Sequence, residues 1–395
     1  MQMINFPPTR AAGLDRLSRF TPRMGSTYAA GRNSDPGPGK RHAVSELSPY
    51  VRHRLVTEQE LLQAAIAAHG AEAAEKFVAE VFWRTYWKGW LEMRPGIYDR
   101  YAQGLDAAMN AMAHDRSLAR RVERACEGRS GIEGFDDWAV ELVETGYLHN
   151  HARMWFASIW IFTLRLPWEL GADFFFRHLL DGDPASNTLS WRWVAGLHTK
   201  GKTYLARRDN IRDHTNGRFD PDGLSGVAVA LEEASTPPAT PIAPIPAPER
   251  QAATGLLLHG DDVAGVGLDI GVDISALAGL IIDDGRSAMV QDWTAAALGD
   301  GVTGMGRRLG LPGSCLGIGD MLAWTRAHGL TQVVVPEAPV GPVRTALGRL
   351  SVELGRAGVK LLPLRRPYDA LCWPHAGKGF FAFKEKIPTL LTQVI

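Results

Sequence analysis

The run PPATPIAPIPAP at 237–248 constrains this chain more than any other feature. Each proline removes a backbone donor and fixes φ, so the segment can extend neither a helix nor a sheet. It reads as a semi-rigid linker over 233–251, and the chain changes character across it. Nine of the twelve tryptophans lie before residue 220, where apolar positions recur with helical spacing. After the linker come the short apolar runs Leu256-Leu257-Leu258, Leu280-Ile281-Ile282 and Val333-Val334-Val335, which read as strands joined by helical or glycine-rich connections. The expected organisation is an N-terminal arm over 1–44, a predominantly α-helical domain over 45–232, the linker, and a smaller α/β domain over 252–395.

Within the arm, Pro7, Pro8, Gly31, Pro36, Gly37, Pro38 and Gly39 suit irregular chain with at most one short helix around 9–19. Thr57 and Glu60 form a capping-box pattern opening a helix to about residue 69. From Glu72 to Trp90, the positions Phe77, Val81, Tyr86 and the series Trp83, Trp87, Trp90 have the spacing of a buried stripe. Further helices are expected over Asp136–Leu148, His149–Leu164 and Trp168–Leu180, with Pro167 marking a break.

Lys and Arg number 43 against 43 Asp and Glu, so bulk attraction to nucleic acid or anionic lipid is no starting point, although a local basic groove is compatible with that balance. Cys126, Cys315 and Cys372 are too few and too scattered for a disulfide framework or a four-thiolate cluster, which points to a reducing, cytoplasmic setting. The N-terminal residues lack a basic segment followed by an apolar run, and no stretch of 18 apolar residues occurs; neither secretion nor a membrane span is expected.

Glu80 and Arg84 share a helical face beside Trp83, either as a solvent-facing ion pair or as the rim of a pocket. His149 and Arg153 share another face, and no second ligand at metal spacing accompanies the histidine, so no structural metal is expected. Asp181, Asp183 and Asn187 form a polar cluster that serves acid/base chemistry or caps a turn and a helix. Trp191 and Trp193 can pack, stack on a planar ligand or relay an electron. Gly377-Lys378-Gly379 is too short for a phosphate loop and reads as a turn.

The stretches TGYLHNHARM at 145–154, LLDGDPASN at 179–187 and WRW at 191–193 resemble successive motifs of the flavin domain of the DNA photolyase and cryptochrome family. Ser45-Glu46-Leu47-Ser48-Pro49-Tyr50 and Phe82-Trp83-Arg84-Thr85-Tyr86 resemble its preceding motifs, and the likeness covers about residues 25–220 in the family's order. The resemblance implies noncovalent FAD in a helical domain. Tyr28, Ser45, Leu47 and Ser48 then fall where the diphosphate and ribose are held, and Arg153, Asp181, Asp183 and Asn187 fall around the isoalloxazine. Glu80, Trp83, Arg84, Asn150 and Trp193 match the damaged-pyrimidine pocket, with Trp83 and Trp193 stacking on flipped bases and Glu80 bonding the lesion. Trp191 and Trp168 match the inner two positions of the tryptophan relay.

The implied activity is light-driven electron donation from reduced FAD that opens pyrimidine dimers in UV-damaged DNA, as in a deoxyribodipyrimidine photo-lyase. The rival is a cryptochrome-like blue-light photoreceptor with a signalling partner, and a third class is a redox-inert scaffold. Several positions depart from the pattern. His151, among the residues assigned to DNA, replaces an arginine, and Ala206 falls near another expected one. No third tryptophan stands at the relay's outer position before Cys126; Trp155 and Trp160 are candidates for that role. No full α/β antenna domain precedes the flavin motifs, while Val333–Pro336, the helix after it, Gly358–Leu362 and Ala370–Phe383 resemble the later part of that domain; no antenna chromophore is assigned.

Overall fold

The computed structural model describes residues 6–395. It divides into two compact units assembled from interleaved segments: one comprises Ser26–Val44 and Pro95–Pro238, the other Phe6–Gly25, Ser45–Arg94 and Ala239–Ile395.

The first unit is helical, with long elements at Gly96–His114, Arg116–Cys126, Phe135–Thr145, Asn150–Ser158, Trp168–His178 and Pro184–Val194. Their apolar faces close over one aromatic core containing Trp138, Trp155, Trp160, Trp168 and Trp191. The expected helix from His149 to Leu164 begins one residue later, because His149 is its N-cap, accepting from the His151 backbone N–H at Nδ1. It ends in a π-helical turn over Ile159–Thr163 just before the Pro167 break.

The arm needs correction. It holds the expected helix, at Arg10–Phe20, but also a second at Ser26–Gly31. That six-residue helix is too short to show an apolar period, and it is stabilised by burial of Tyr28.

The second unit contains a five-stranded parallel sheet of β1 Thr254–His259, β2 Ala276–Ile281, β3 Gly313–Gly317, β4 Gln332–Pro336 and β5 Lys360–Leu364. The order β3-β2-β1-β4-β5 makes it doubly wound, reversing direction between β1 and β4. The three apolar runs lie in or beside β1, β2 and β4, and the central strands are buried as parallel strands require. Helix Glu58–Ala73 opens with the full capping box, Thr57 Oγ1 accepting from Glu60 N and Glu60 Oε2 accepting from Thr57 N. Helix Glu75–Glu92 buries Phe77, Val81, Tyr86, Trp87 and Trp90 as the stripe predicts, whereas Trp83 is only half-buried. At Gly89 a Cβ would stand 2.8 Å from the Trp373 Cα, so this helix approaches the chain at Trp373 only because the residue is glycine. No helix among the described residues is long and apolar enough to cross a membrane.

Candidate functional site

Three of the family-like stretches are brought together in the helical unit by ordinary local chemistry. Helix Phe135–Thr145 ends at Gly146 in the left-handed conformation (φ 68°), which glycine adopts without strain. The Gly146 carbonyl accepts from Leu180 N at 2.9 Å, fixing the 145–154 stretch beside the start of the Asp181-Gly182-Asp183 turn. Asp183 is the N-cap of helix Pro184–Val194, accepting from Ser186 N at 2.8 Å, with Pro184 in the first turn. One turn on, Asn187 donates from Nδ2 to the Ala172 carbonyl at 2.7 Å, which orients the amide.

Arg153 spans the two stretches. Its Nε donates to the Leu148 carbonyl at 3.0 Å and its Nη2 to Asp181 Oδ2 at 2.8 Å, and the Asp181 side chain is almost wholly buried. The expected cluster of Arg153, Asp181, Asp183 and Asn187 therefore occupies one region, with the guanidinium pre-aimed by two fixed acceptors.

Sequence reasoning missed a layer behind it. Buried Arg41 donates to Asp35 through Nε at 2.7 Å and Nη2 at 3.1 Å, and its Nη2 lies 2.7 Å from Glu141 Oε1. The Arg41 and Arg153 guanidiniums stand 5.5 and 5.6 Å from the Tyr147 ring. Burial opposes the charge of Asp35, but its bonds to Arg41 and the charges of Arg41 and His149 outweigh that and hold the carboxyl below its usual range. Burial dominates at Glu141, pushing it up to about 7 against the pull of Arg41. Nothing local marks these residues; Asp35 and Arg41 lie in the presumed arm, and their partner is about a hundred residues away in sequence.

Burial likewise drives His149 down to about 4, with Asp35 pulling upward and Arg41, His151 and Arg153 pushing down. His151 also falls to about 4, through burial and then the charges of His214 and Arg32, and its ring lies against His214 at 5.3 Å. It is neutral at pH 7, so it supplies no cation where the family resemblance expects an arginine. Ala206 is buried, its backbone N–H donating to Ser158 Oγ. Asn150 is exposed.

Trp191 is enclosed by Phe175 at 5.2 Å, Trp160 at 6.3 Å and Phe156 at 6.5 Å, all edge-on. Trp160 donates its indole N–H to the carbonyl of Pro167, next to Trp168. Trp155 is committed elsewhere: it stacks on Trp138 at 5.4 Å and donates to Asn210. Trp193 is half-buried and stacks on Tyr204 at 5.6 Å.

Glu80, Trp83, Arg84, Ser45, Leu47 and Ser48 belong to the other unit. Leu47 is buried, its backbone N–H donating to Ser45 Oγ, and Ser48 starts helix Ser48–Arg52. The Arg84 charge acts on buried Glu58. One face of Trp83 is covered by Phe380, parallel within 11° at a centroid distance of 3.4 Å. Doubly wound sheets bind ligands beyond the carboxyl ends of their strands; here the acids that follow β1 and β5 are held in buried ion pairs. Arg52 meets Asp261 at 2.6 Å, Arg366 meets Asp262 through Nε at 2.6 Å and Nη2 at 2.7 Å, and Arg54 meets Asp369 at 2.5 Å.

The donor set of the helical unit suits FAD. A guanidinium, two carboxylates and an amide match the mixed donors and acceptors around an isoalloxazine. The buried Trp191 indole N–H and His149 Nε2 have no hydrogen-bonding partner among the described residues, which leaves polar capacity for a cofactor. Residues 77–226 match the family model described as the FAD binding domain of DNA photolyase. A deoxyribodipyrimidine photo-lyase of Thermus thermophilus is 32% identical over 60% of this chain and 53% of its own length. One from Alkalihalophilus pseudofirmus is 29% identical over 53% of this chain and 42% of its own. A cryptochrome DASH of Idiomarina loihiensis is 26% identical over 54% of this chain and 46% of its own, so the chain spans about half the length of the relatives it matches. Residues 77–226 are thus similar to the FAD-binding domain of the photolyase/cryptochrome family, which indicates FAD as the cofactor.

Proposed function

We propose that this protein carries out light-driven electron transfer with FAD and uses it to split pyrimidine dimers in DNA. The observation that carries the reading is the Arg153–Asp181 pair set beside the Asp183-capped helix that bears Asn187, Trp191 and Trp193. When bound and reduced, FAD supplies the electron that opens the dimer.

The remaining work falls to the chain. Arg153 would offer a cation to a negatively charged reduced ring, and its two acceptors hold the guanidinium in place. Asp181, Asp183 and Asn187 would hold the ring, and the resemblance assigns the diphosphate and ribose to Tyr28 of the helical unit and to Ser45, Leu47 and Ser48 of the other. Trp191 and Trp168 feed electrons inward. The resemblance assigns lesion contacts to Trp193, Asn150 and His151 of the helical unit and, separately, to Glu80, Trp83 and Arg84 of the other unit. Three free cysteines suit a cytoplasmic setting.

The test is to mix illuminated, reduced protein with dimer-bearing DNA and follow the products by chromatography. Restored pyrimidines support repair, and unchanged dimers in the presence of stoichiometric reduced FAD sink it. A second reading, a blue-light sensor using the same flavin site, draws on two observations: Phe380 covers one face of Trp83, and burial depresses the pKa of His151 to about 4.

A further inference from the structure

The relay reading leaves an oxidised Trp168 without a third indole to refill it, since no tryptophan lies between Trp90 and Trp138. A phenol stands against Trp168. Tyr101 lies 5.6 Å from Trp168 between ring centroids, and Tyr98 lies 5.7 Å beyond Tyr101. Both tyrosines come from helix Gly96–His114, where a spacing of three residues puts them on one face. Tyr101 is 6% exposed and Tyr98 half-buried, so the row runs from core to solvent. Cys126 packs on the same core as Tyr98, and its thiol and the Tyr101 phenol both feel Arg177 and Asp173. The two tyrosines thus stand near the segment where the family-like pattern would place the missing indole.

We propose that Tyr98 is the terminal electron donor of this relay and that Tyr101 is the ring through which its electron reaches Trp168. The inference rests on the photoreduction reading above. In the step, the Trp168 radical cation gains one electron and returns to closed-shell indole; Tyr98 loses that electron and releases its phenolic proton to water. The neutral Tyr98 radical then takes a hydrogen atom from a dissolved thiol, which leaves as a thiyl radical. Burial, with the charges of Asp173, Tyr98 and Glu169, pushes the Tyr101 phenol up and keeps it protonated, which suits a bridge better than a terminus.

Two measurements on the full FAD-loaded chain test this, each with wild type, Tyr98→Phe and Tyr101→Phe. In the first, oxidised protein with ring-deuterated tyrosine is illuminated without thiol and examined by electron paramagnetic resonance. A tyrosyl signal in wild type that is lost in both variants supports the proposal; a tryptophanyl signal alone, unaltered in the variants, overturns it. In the second, the one-electron oxidant hexachloroiridate(IV) is added in the dark and oxidised residues are mapped by mass spectrometry. Modification at Tyr98 that shifts to Trp168 in either variant supports the path, and an unchanged pattern overturns it. Wild type that binds oxidised FAD yet never photoreduces would defeat the relay reading itself, while the dark experiment still decides the tyrosine path. Since Tyr98 is half-buried, its phenylalanine variant keeps the fold even where Tyr101→Phe does not.

Discussion

Replacing Gly171 by alanine tests the packing of the indoles and their electronic role together. Gly171 lies in helix Trp168–His178, and a Cβ there would collide with Trp191 Cη2 while standing 2.7 Å from Trp191 Cζ3 and 2.9 Å from Trp160 Cε2. Carbon atoms rest about 3.5–4.0 Å apart, so each ring must retreat by roughly 1 Å. Trp191 has little room to do so, being 2% exposed and walled by Phe156, Phe175 and Trp160. On an open helix the change would stabilise by about 0.5–1 kcal/mol, whereas overpacking a dense core costs about 1–3 kcal/mol. A net loss of roughly 0.5–2 kcal/mol follows, read as a lower urea midpoint at constant slope. Near-ultraviolet circular dichroism should change with the displaced indoles, and flavin photoreduction should slow as Trp191 moves from its place in the relay. A variant more stable than wild type by the full helix-propensity gain, with unaltered dichroism, would refute the packing. Lowered stability with unchanged photoreduction would instead leave the packing standing and remove these rings from the electron path.

His149, held at about 4 against an ordinary 6.5, binds its proton more readily in the unfolded chain, so its contribution to stability is complete above pH 6.5 and is lost as pH falls toward 4. The gap amounts to roughly 3 kcal/mol; His149→Asn keeps an N-cap side chain and should flatten the fall in denaturation midpoint between pH 6.5 and 4, and an equally steep fall would exclude His149 as its source. Arg54→Met strips buried Asp369, Asp262 and Glu58 of their shared cation and should destabilise by about 3–5 kcal/mol in chemical denaturation; a change within experimental error would mean that the acids do not depend on it. Phe380→Ala uncovers one face of Trp83 and should tighten binding of dimer-bearing DNA, measured by fluorescence titration; unchanged affinity would remove Trp83 from the base-stacking role.

What could be read from sequence was local. The Thr57–Glu60 box, the Asp183 cap and the stripe of helix Glu75–Glu92 each lie within a few turns of chain, where spacing alone specifies geometry. The Arg153–Asp181 pair joins residues 28 apart and became legible only because the family resemblance supplied both ends of the register. Strand β3 has only Cys315 and Leu316 between its terminal glycine-serine and glycine residues, and it exists because β2 offers a parallel edge. Arg41–Glu141 and Trp83–Phe380 link positions 100 and 297 residues apart, and neither partner differs in type from an ordinary surface or core residue. Such contacts are set by tertiary packing, to which a periodicity in sequence has no access.

The two readings that share FAD divide on charge. Arg153, Arg41 and Arg192 are paired with Asp181, with Asp35 and Glu141, and with Glu233. Each guanidinium is thereby fixed within the helical unit, which suits the electrostatics of a flavin pocket and leaves less of its charge for phosphates. His151 is neutral, and Ala206 offers only a backbone bond to Ser158. Phosphate contacts govern both the affinity of DNA binding and its salt dependence. On the repair reading, with these positions thinned, base stacking, a sequence-tolerant interaction worth about 1–3 kcal/mol per base, carries a larger share of lesion binding. On that reading an extruded dimer presents two faces for stacking and intact duplex none, so selectivity for damage would outlast the loss of backbone contacts even as overall affinity falls.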